Sequence, residues 1–181
     1  MASYSEYIDL SAGFCGDRST LNLQSGVGTG TVTTYYKGYL RMVESTPSLL
    51  CENTSDLYTH TSSNKGNKAL TYPIGLIAMD EVILAGSGGG VADGSYNEMP
   101  TSLNSYLQIG KHYWTITPVG GYNPYGNTNW YADVFLVDLL GRIDINATAG
   151  NYEVRPVLNL KSDLEFTGDG TIDNAYKIKA E

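Results

Sequence analysis

Eleven residues in the second half of the chain carry side chains well suited to contacting a ligand. They are Tyr122, Asn123, Tyr125, Asn127, Asn129, Trp130, Tyr131, Asp144, Asn146, Asn151 and Tyr152. Tyrosine and tryptophan offer a large contact area at a low cost in conformational entropy, and asparagine offers adaptable hydrogen bonds, as in antibody paratopes. Such side chains bind rather than react, so this stretch predicts a ligand-binding surface. The alternative left open by the residues is a long solvated loop of low specificity.

The residue types needed for covalent catalysis are few and scattered. Cys15 and Cys51 are the only cysteines, and His60 and His112 are the only histidines. A nucleophile needs a base and an orienting group within hydrogen-bond reach, and no spacing in this chain suggests such a group. We therefore expect no catalytic residues and predict that the protein is not an enzyme.

The sequence also lacks recognisable metal-ligand patterns. It contains no CxxC pair for zinc, and its acidic residues between Asp133 and Glu153 are too spread out for a calcium site. Asp169 and Asp173 belong to a Gly-rich turn whose spacing fails the EF-hand pattern. We interpret that turn as part of a hairpin and expect neither a metal nor a cofactor.

The two cysteines allow two interpretations. They lie 36 positions apart (51 − 15) in loop-like sequence. A disulfide between Cys15 and Cys51 would contribute about 3–4 kcal/mol in an oxidising compartment, whereas two buried free thiols would act as small apolar side chains. We favour the disulfide.

The charge of the chain argues against two classes of partner. Lysine and arginine number 11 against 19 aspartates and glutamates, so the formal net charge is −8. Without a basic cluster we expect no nucleic-acid binding and no basic membrane-surface helix.

No apolar run approaches the ~18 residues of a membrane span, and no signal-peptide pattern is visible. A cytoplasmic protein and an excised domain of a longer secreted protein both remain open, and we favour the second.

Strand-like segments outnumber helix-like ones, which predicts an α+β fold in a single domain over residues 1–181. The best helix candidate is 78–85, whose acidic residues fall in the first turn; a single helical turn is expected within 48–57 and a second short helix near 102–109. The expected strands and buried segments are 35–42, 69–77, 114–118, 133–137, 154–160 and 176–178. Trp114 and Arg155 are expected to belong to the buried framework, with Arg155 satisfying several carbonyls.

Four segments, Gly66–Val82, Tyr113–Pro118, Ala132–Ile143 and Val154–Ile178, resemble a large family of bacterial surface-associated domains common in gut and other low-GC Gram-positive bacteria. That family is similar to formylglycine-generating enzymes and C-type-lectin-like domains. The resemblance implies a C-type-lectin-like fold, with two helices flanking a small, mostly antiparallel sheet and a long ligand-contacting loop region. The paired copper-binding cysteines of formylglycine-generating enzymes have no counterpart near the C-terminus, so no enzymatic activity is implied.

These observations favour a non-catalytic extracellular recognition module, such as an adhesin, whose ligand is a protein or glycan on a cell or host surface. One alternative is the variable protein of a diversity-generating retroelement, in which mutation of adenines converts Asn codons to Tyr, Ser, Asp or His codons. Another is a structural spacer domain of a larger bacterial surface protein, without a ligand of its own.

Overall fold

The computed structural model describes residues 6–21, 32–61, 65–86, 107–122, 131–171 and 173–179. Within them the chain forms two α-helices, one 3₁₀ turn and ten strands, so the expected α+β class is confirmed. In chain order the elements are β1 (Gly13–Cys15), β2 (Thr34–Tyr35), α1 (Lys37–Glu44), a 3₁₀ turn (Thr54–Asp56), β3 (Leu57–Thr59), β4 (Gly75–Leu76), α2 (Met79–Leu84), β5 (Tyr113–Tyr122), β6 (Tyr131–Val137), β7 (Ile143–Ala147), β8 (Pro156–Val157), β9 (Phe166–Thr167) and β10 (Lys177–Ile178).

The main sheet has the strand order β2-β5-β6-β7, and every neighbouring pair is antiparallel. It is curled into a half-barrel, and the register of β5 against β6 shifts between Trp114 and Pro118. Such irregularities bend a strand and increase its twist. Three two-stranded antiparallel sheets, β1–β3, β4–β8 and β9–β10, complete the described strands.

One face of the main sheet packs against both helices. Phe135, Val137 and Ile143 alternate on this face and are buried together with Met79 and Val82 of α2. Because successive strand residues point to opposite faces, this alternation assigns one side of β6 and β7 to the core. The expected strands at 114–118 and 133–137 are therefore confirmed as parts of β5 and β6.

Helix α2 lies within the predicted range 78–85 and is confirmed. Its N-cap residue, Ala78, has no side-chain acceptor, but the Glu81 carboxylate accepts the Ala78 N–H at 2.7 Å. The Thr117 hydroxyl accepts the Met79 N–H at 3.0 Å. Side chains from the helix itself and from β5 thus satisfy donors that the helix start leaves unpaired.

The expected strand at 35–42 is wrong, because residues 37–44 form α1. Gly38 and Met42 are buried one helical turn apart, and an added Cβ at Gly38 would lie 2.8 Å from the Thr117 side chain. Because Gly38 has no side chain, a helix at this position can pack closely against β5. This packing stabilises the helix by more than the strand preference of the neighbouring tyrosines opposes it.

The expected burial of 69–77 and 154–160 is also largely wrong. Tyr72 and Ile74 are exposed before β4, and Val154, Leu158 and Leu160 are exposed around β8. Only two residues of each segment are in a strand, and these pair with each other. Exposure alternates along 154–160: Arg155, Val157 and Asn159 are half-buried, and the residues between them are exposed.

Arg155 is half-buried, and its guanidinium lies 5.4 Å from the centre of the Tyr113 ring. Its Nη1 donates to the Leu107 carbonyl and to the Tyr113 hydroxyl, each at 3.4 Å. These contacts agree with the expected framework role for this arginine.

Cys15 and Cys51 form a disulfide with a Cα–Cα distance of 5.7 Å, which confirms the favoured interpretation. The bond joins β1 to the segment just before the 3₁₀ turn, which is the helical turn expected within 48–57.

Near the C-terminus, β9 and β10 form the expected hairpin, in which the Asp169 carboxylate accepts the Thr171 N–H at 3.0 Å. The expected helix near 102–109 lies almost entirely outside the described residues.

Candidate functional site

The sheet face opposite the helices carries the candidate site. Strand register places Trp114 of β5 opposite Leu136 of β6, and Leu136 opposite Asp144 of β7. Val134 and Asn146 form the next pair of β6 and β7 on the same side. We call the side carrying Trp114, Leu136, Asp144 and Asn146 the outer face of the sheet. Leu136 is fully buried, so this face is covered at that point, whereas Trp114, Asp144 and Asn146 are half-buried.

Tyr152 joins this face from the segment after β7. Its ring stands edge-on to Trp114, with ring centres 4.9 Å apart, and lies 5.6 Å from the ring of His112. The side-chain amide of Asn146 donates to the Tyr152 hydroxyl at 2.7 Å. Aromatic pairs in this edge-on geometry contribute about 0.5–1.5 kcal/mol beyond burial alone, so the cluster holds a fixed shape.

The backbone fixes the position of Tyr152 from both sides. The Trp114 N–H donates to the Glu153 carbonyl at 3.1 Å, and the Glu153 N–H donates to the His112 carbonyl at 3.0 Å. On the other side, the Gly150 N–H donates to the Ala147 carbonyl and closes the turn after β7. An added Cβ at Gly150 would lie 2.6 Å from the Tyr152 ring, so glycine is needed where the ring passes.

Some polar side chains at the site already accept hydrogen bonds from the neighbouring backbone. The Asp144 carboxylate accepts the N–H of Ile145, and the Asn146 side-chain oxygen accepts the N–H of Ala147. The Nδ1 atom of His112 is buried and has no hydrogen-bond partner among the described residues. On β6, burial raises the pKa of Asp133 above its usual value.

The structure joins Asn146 to Tyr152 by a hydrogen bond and places Asp144 on the same face of β7 as Asn146. Asn151 is exposed in the adjacent turn. Tyr122 and Tyr131 face each other across the β5–β6 pair as its last backbone partners. Five predicted residues lie outside the described residues: Asn123, Tyr125, Asn127, Asn129 and Trp130. The predicted set thus divides into a described cluster on the outer face and a connection that joins β5 to β6.

Trp114 and His112 are members of the cluster that sequence reasoning did not assign to the site. Trp114 was expected in the core, but it is half-buried and lies outside the main hydrophobic cluster. The signal was available in the alternation, since Tyr113 is fully buried on the core face and its neighbour must point the other way.

The side chains of this cluster are aromatic and polar. The described residues contain no group of three or more His, Cys, Asp or Glu side chains that could hold a metal ion. Both cysteines are consumed in the disulfide. The cluster contains the three rings of Trp114, Tyr152 and His112 beside the Asn146 amide and the Tyr152 hydroxyl.

No family model, no curated protein and no solved structure matches this chain. Among the described residues, no helix has the length and apolar character needed to cross a membrane.

Proposed function

We propose that the protein is a non-catalytic extracellular recognition module that binds a protein or glycan ligand through the outer face of its main sheet. The observation that carries this proposal is the cluster of Trp114, Tyr152 and Asn146, in which the amide and the hydroxyl orient the aromatic edge. Rigid aromatic anchors beside adaptable polar groups are typical of surfaces that bind with little loss of entropy.

The composition of the cluster suits a sugar or a polar protein surface. Aromatic rings and polar side chains provide apolar contact together with orienting hydrogen bonds, the combination found in ligand sites. The Tyr/Asn connection between Tyr122 and Tyr131 joins the two central strands at the end of the sheet away from Trp114, and it would form a second part of the binding surface.

The extracellular assignment rests on the disulfide between Cys15 and Cys51. Disulfides persist in oxidising compartments and are rare in the cytosol. Two helices, an antiparallel main sheet and one disulfide support the finer proposal of a C-type-lectin-like domain within a larger surface protein, where it would act as an adhesin.

The test compares Asn146→Ala/Tyr152→Ala with the control Asn174→Ala/Tyr176→Ala, which removes the same two residue types from the exposed terminal hairpin. Each protein is screened on a glycan array and on a panel of purified extracellular proteins. We expect binding by the native chain and the control, loss in the outer-face variant, and folded protein in all three by circular dichroism. Equal binding by both variants would overturn the site, and no binding by the native chain would favour the spacer alternative.

A diversified receptor is the second candidate. Pairing of β5 with β6 continues to Tyr122 and Tyr131, so the strands offer a fixed base for the eight-residue connection 123–130, a layout that tolerates sequence change. Deep sequencing of the gene region for residues 113–155 in a population of the source organism tests this. Variation confined to adenine-bearing codons would support it, and a uniform sequence would reject it.

A further inference from the structure

A second concave site lies between β1, the segment 48–51 and the start of α2. It is a cleft of about 230 Å³, and we call it the β1–α2 cleft. It shares no lining residue with the outer-face cluster, so the two sites can be tested separately. Its lining combines apolar side chains, including Phe14, Leu49 and Leu50, with the charged groups of Asp17, Arg41, Asp80 and Glu81.

The charged side of the cleft is built around Arg41. Its Nε and Nη2 donate to the two carboxylate oxygens of Asp80 at 2.7 and 2.9 Å, and its Nη1 donates to Asp17 at 2.6 Å. Burial alone would raise the pKa of Asp17, but hydrogen bonds from Ser19 and Arg41 outweigh it, and the pKa lies below the usual value. Asp17 is therefore ionised at neutral pH.

This side of the cleft has more negative than positive charge. Asp17, Asp80 and Glu81 supply three carboxylates against the single guanidinium of Arg41, which leaves a formal charge of −2. Asp17 and Asp80 are largely buried and accept hydrogen bonds from Arg41. Backbone N–H groups of Ser19, Ser48 and Ala78 also donate to these three carboxylates. Each carboxylate oxygen can accept two hydrogen bonds, so the lining keeps some acceptor capacity. A ligand group that complements it must carry positive charge and donate hydrogen bonds.

The apolar side of the cleft is held open to solvent. Leu49 and Leu50 are 69% and 71% exposed, although they are consecutive leucines. The segment cannot turn them inward freely, because the Ser48 N–H donates to Asp80 at 2.9 Å and Cys51 is bonded to Cys15. Two fixed, exposed leucines beside a cleft indicate an apolar contact surface.

We propose that the β1–α2 cleft binds a lysine side chain of a partner protein, with the alkyl chain against Leu49 and Leu50 and the ammonium at the carboxylates. The volume is below the roughly 300–1,000 Å³ of sites for drug-sized ligands, so it suits one side chain. An ammonium is a compact charge with three donors, whereas a guanidinium requires a planar, bidentate acceptor. Arg41 already occupies that position on Asp80, so lysine fits better than arginine.

The binding test uses Nα-acetyl-lysine N-methylamide, added to the full chain with methyl-labelled leucine and followed by NMR. The norleucine analogue, which lacks the ammonium, and the arginine analogue serve as comparison probes. We expect shifts confined to the methyl groups of Leu49, Leu50 and Leu57, which line the cleft, and we expect the affinity to fall as salt is raised. Equal binding of the norleucine or arginine analogue, or shifts elsewhere only, would overturn the proposal.

Two variants locate the interaction. Leu49→Ser/Leu50→Ser removes the apolar side and is matched by Leu139→Ser/Leu140→Ser, another consecutive and exposed leucine pair at the turn before β7. With the methyl resonances of Leu57, which also lines the cleft, as reporters, the first should weaken lysine-probe binding about tenfold and the second should not. Glu81→Gln keeps an acceptor for the Ala78 N–H but removes one charge, and should weaken binding several-fold. Unchanged affinity in either cleft variant would contradict the assignment.

Discussion

The side-chain amide of Asn146 donates a 2.7 Å hydrogen bond to the hydroxyl of Tyr152. The bond spans the turn after β7 and sets the Tyr152 ring edge-on to Trp114. A side chain already fixed in its bound orientation loses less entropy when a ligand arrives. The pair therefore links the local structure of the turn to the proposed binding surface.

Tyr152→Phe tests that relationship, since it removes the hydroxyl and keeps the ring. We expect the free energy of unfolding to fall by about 0.5–1.5 kcal/mol, the net contribution of one hydrogen bond. Urea unfolding followed by tryptophan fluorescence measures it. Tyr72→Phe, at an exposed tyrosine, is the control and should be neutral. An unchanged stability in Tyr152→Phe would mean that the bond does not order the cluster.

Arg41→Ala should be among the most destabilising single substitutions in the chain. It leaves the carboxylates of Asp17 and Asp80 largely buried without their shared partner, and breaking a buried ion pair in this way costs about 3–5 kcal/mol. Lys37→Ala, on the same helix, removes an exposed pair with Glu52 and should change stability by less than about 1 kcal/mol. Chemical denaturation of both variants provides the comparison, and similar losses would contradict a stabilising role for the buried ion pairs of Arg41.

Sequence patterns predicted α2 and the strands β5 and β6 because there the local and tertiary preferences agree. Acidic residues start α2, and β5 and β6 carry alternating or continuous apolar residues. At α1 they disagree: its tyrosines favour a strand, and only the contact of Gly38 with β5 makes a helix favourable. Around β8, apolar residues predicted burial, but β8 pairs with β4 in a separate two-stranded sheet and its neighbours Val154, Leu158 and Leu160 are exposed, an arrangement that no local pattern encodes.

The sequence predicted the residue types of the candidate site, but it did not predict which residues come together there. Asn146 and Tyr152 were identified by residue type, and their hydrogen bond requires the turn at Gly150, which spacing alone does not reveal. Trp114 was assigned to the core because large aromatic residues are usually buried. The β1–α2 cleft was not predicted, since its lining comes from segments far apart in the chain.

Removal of the disulfide should lower stability without changing the fold class. In the chain-entropy account, closing a loop of this length contributes about 4 kcal/mol for the observed separation of 36 residues. Cys15→Ser/Cys51→Ser should lose an amount of that order in urea unfolding, and the native chain with reductant should approach it. Reductant should leave the double variant unaffected. A native chain that is insensitive to reductant would contradict a stabilising role for the bond.

Asp133→Asn should stabilise the protein at neutral pH. Burial raises the pKa of Asp133 from the usual 3.8, so the folded state holds this proton more tightly than the unfolded state. The folded state therefore loses stability as pH rises from the unfolded pKa through the raised folded pKa, and the full penalty remains at pH 7. The gain in Asp133→Asn should be largest at pH 7 and should disappear below about pH 4. Unfolding measured against pH, with the exposed Asp163→Asn as control, checks this; a gain that grew toward acid would contradict it.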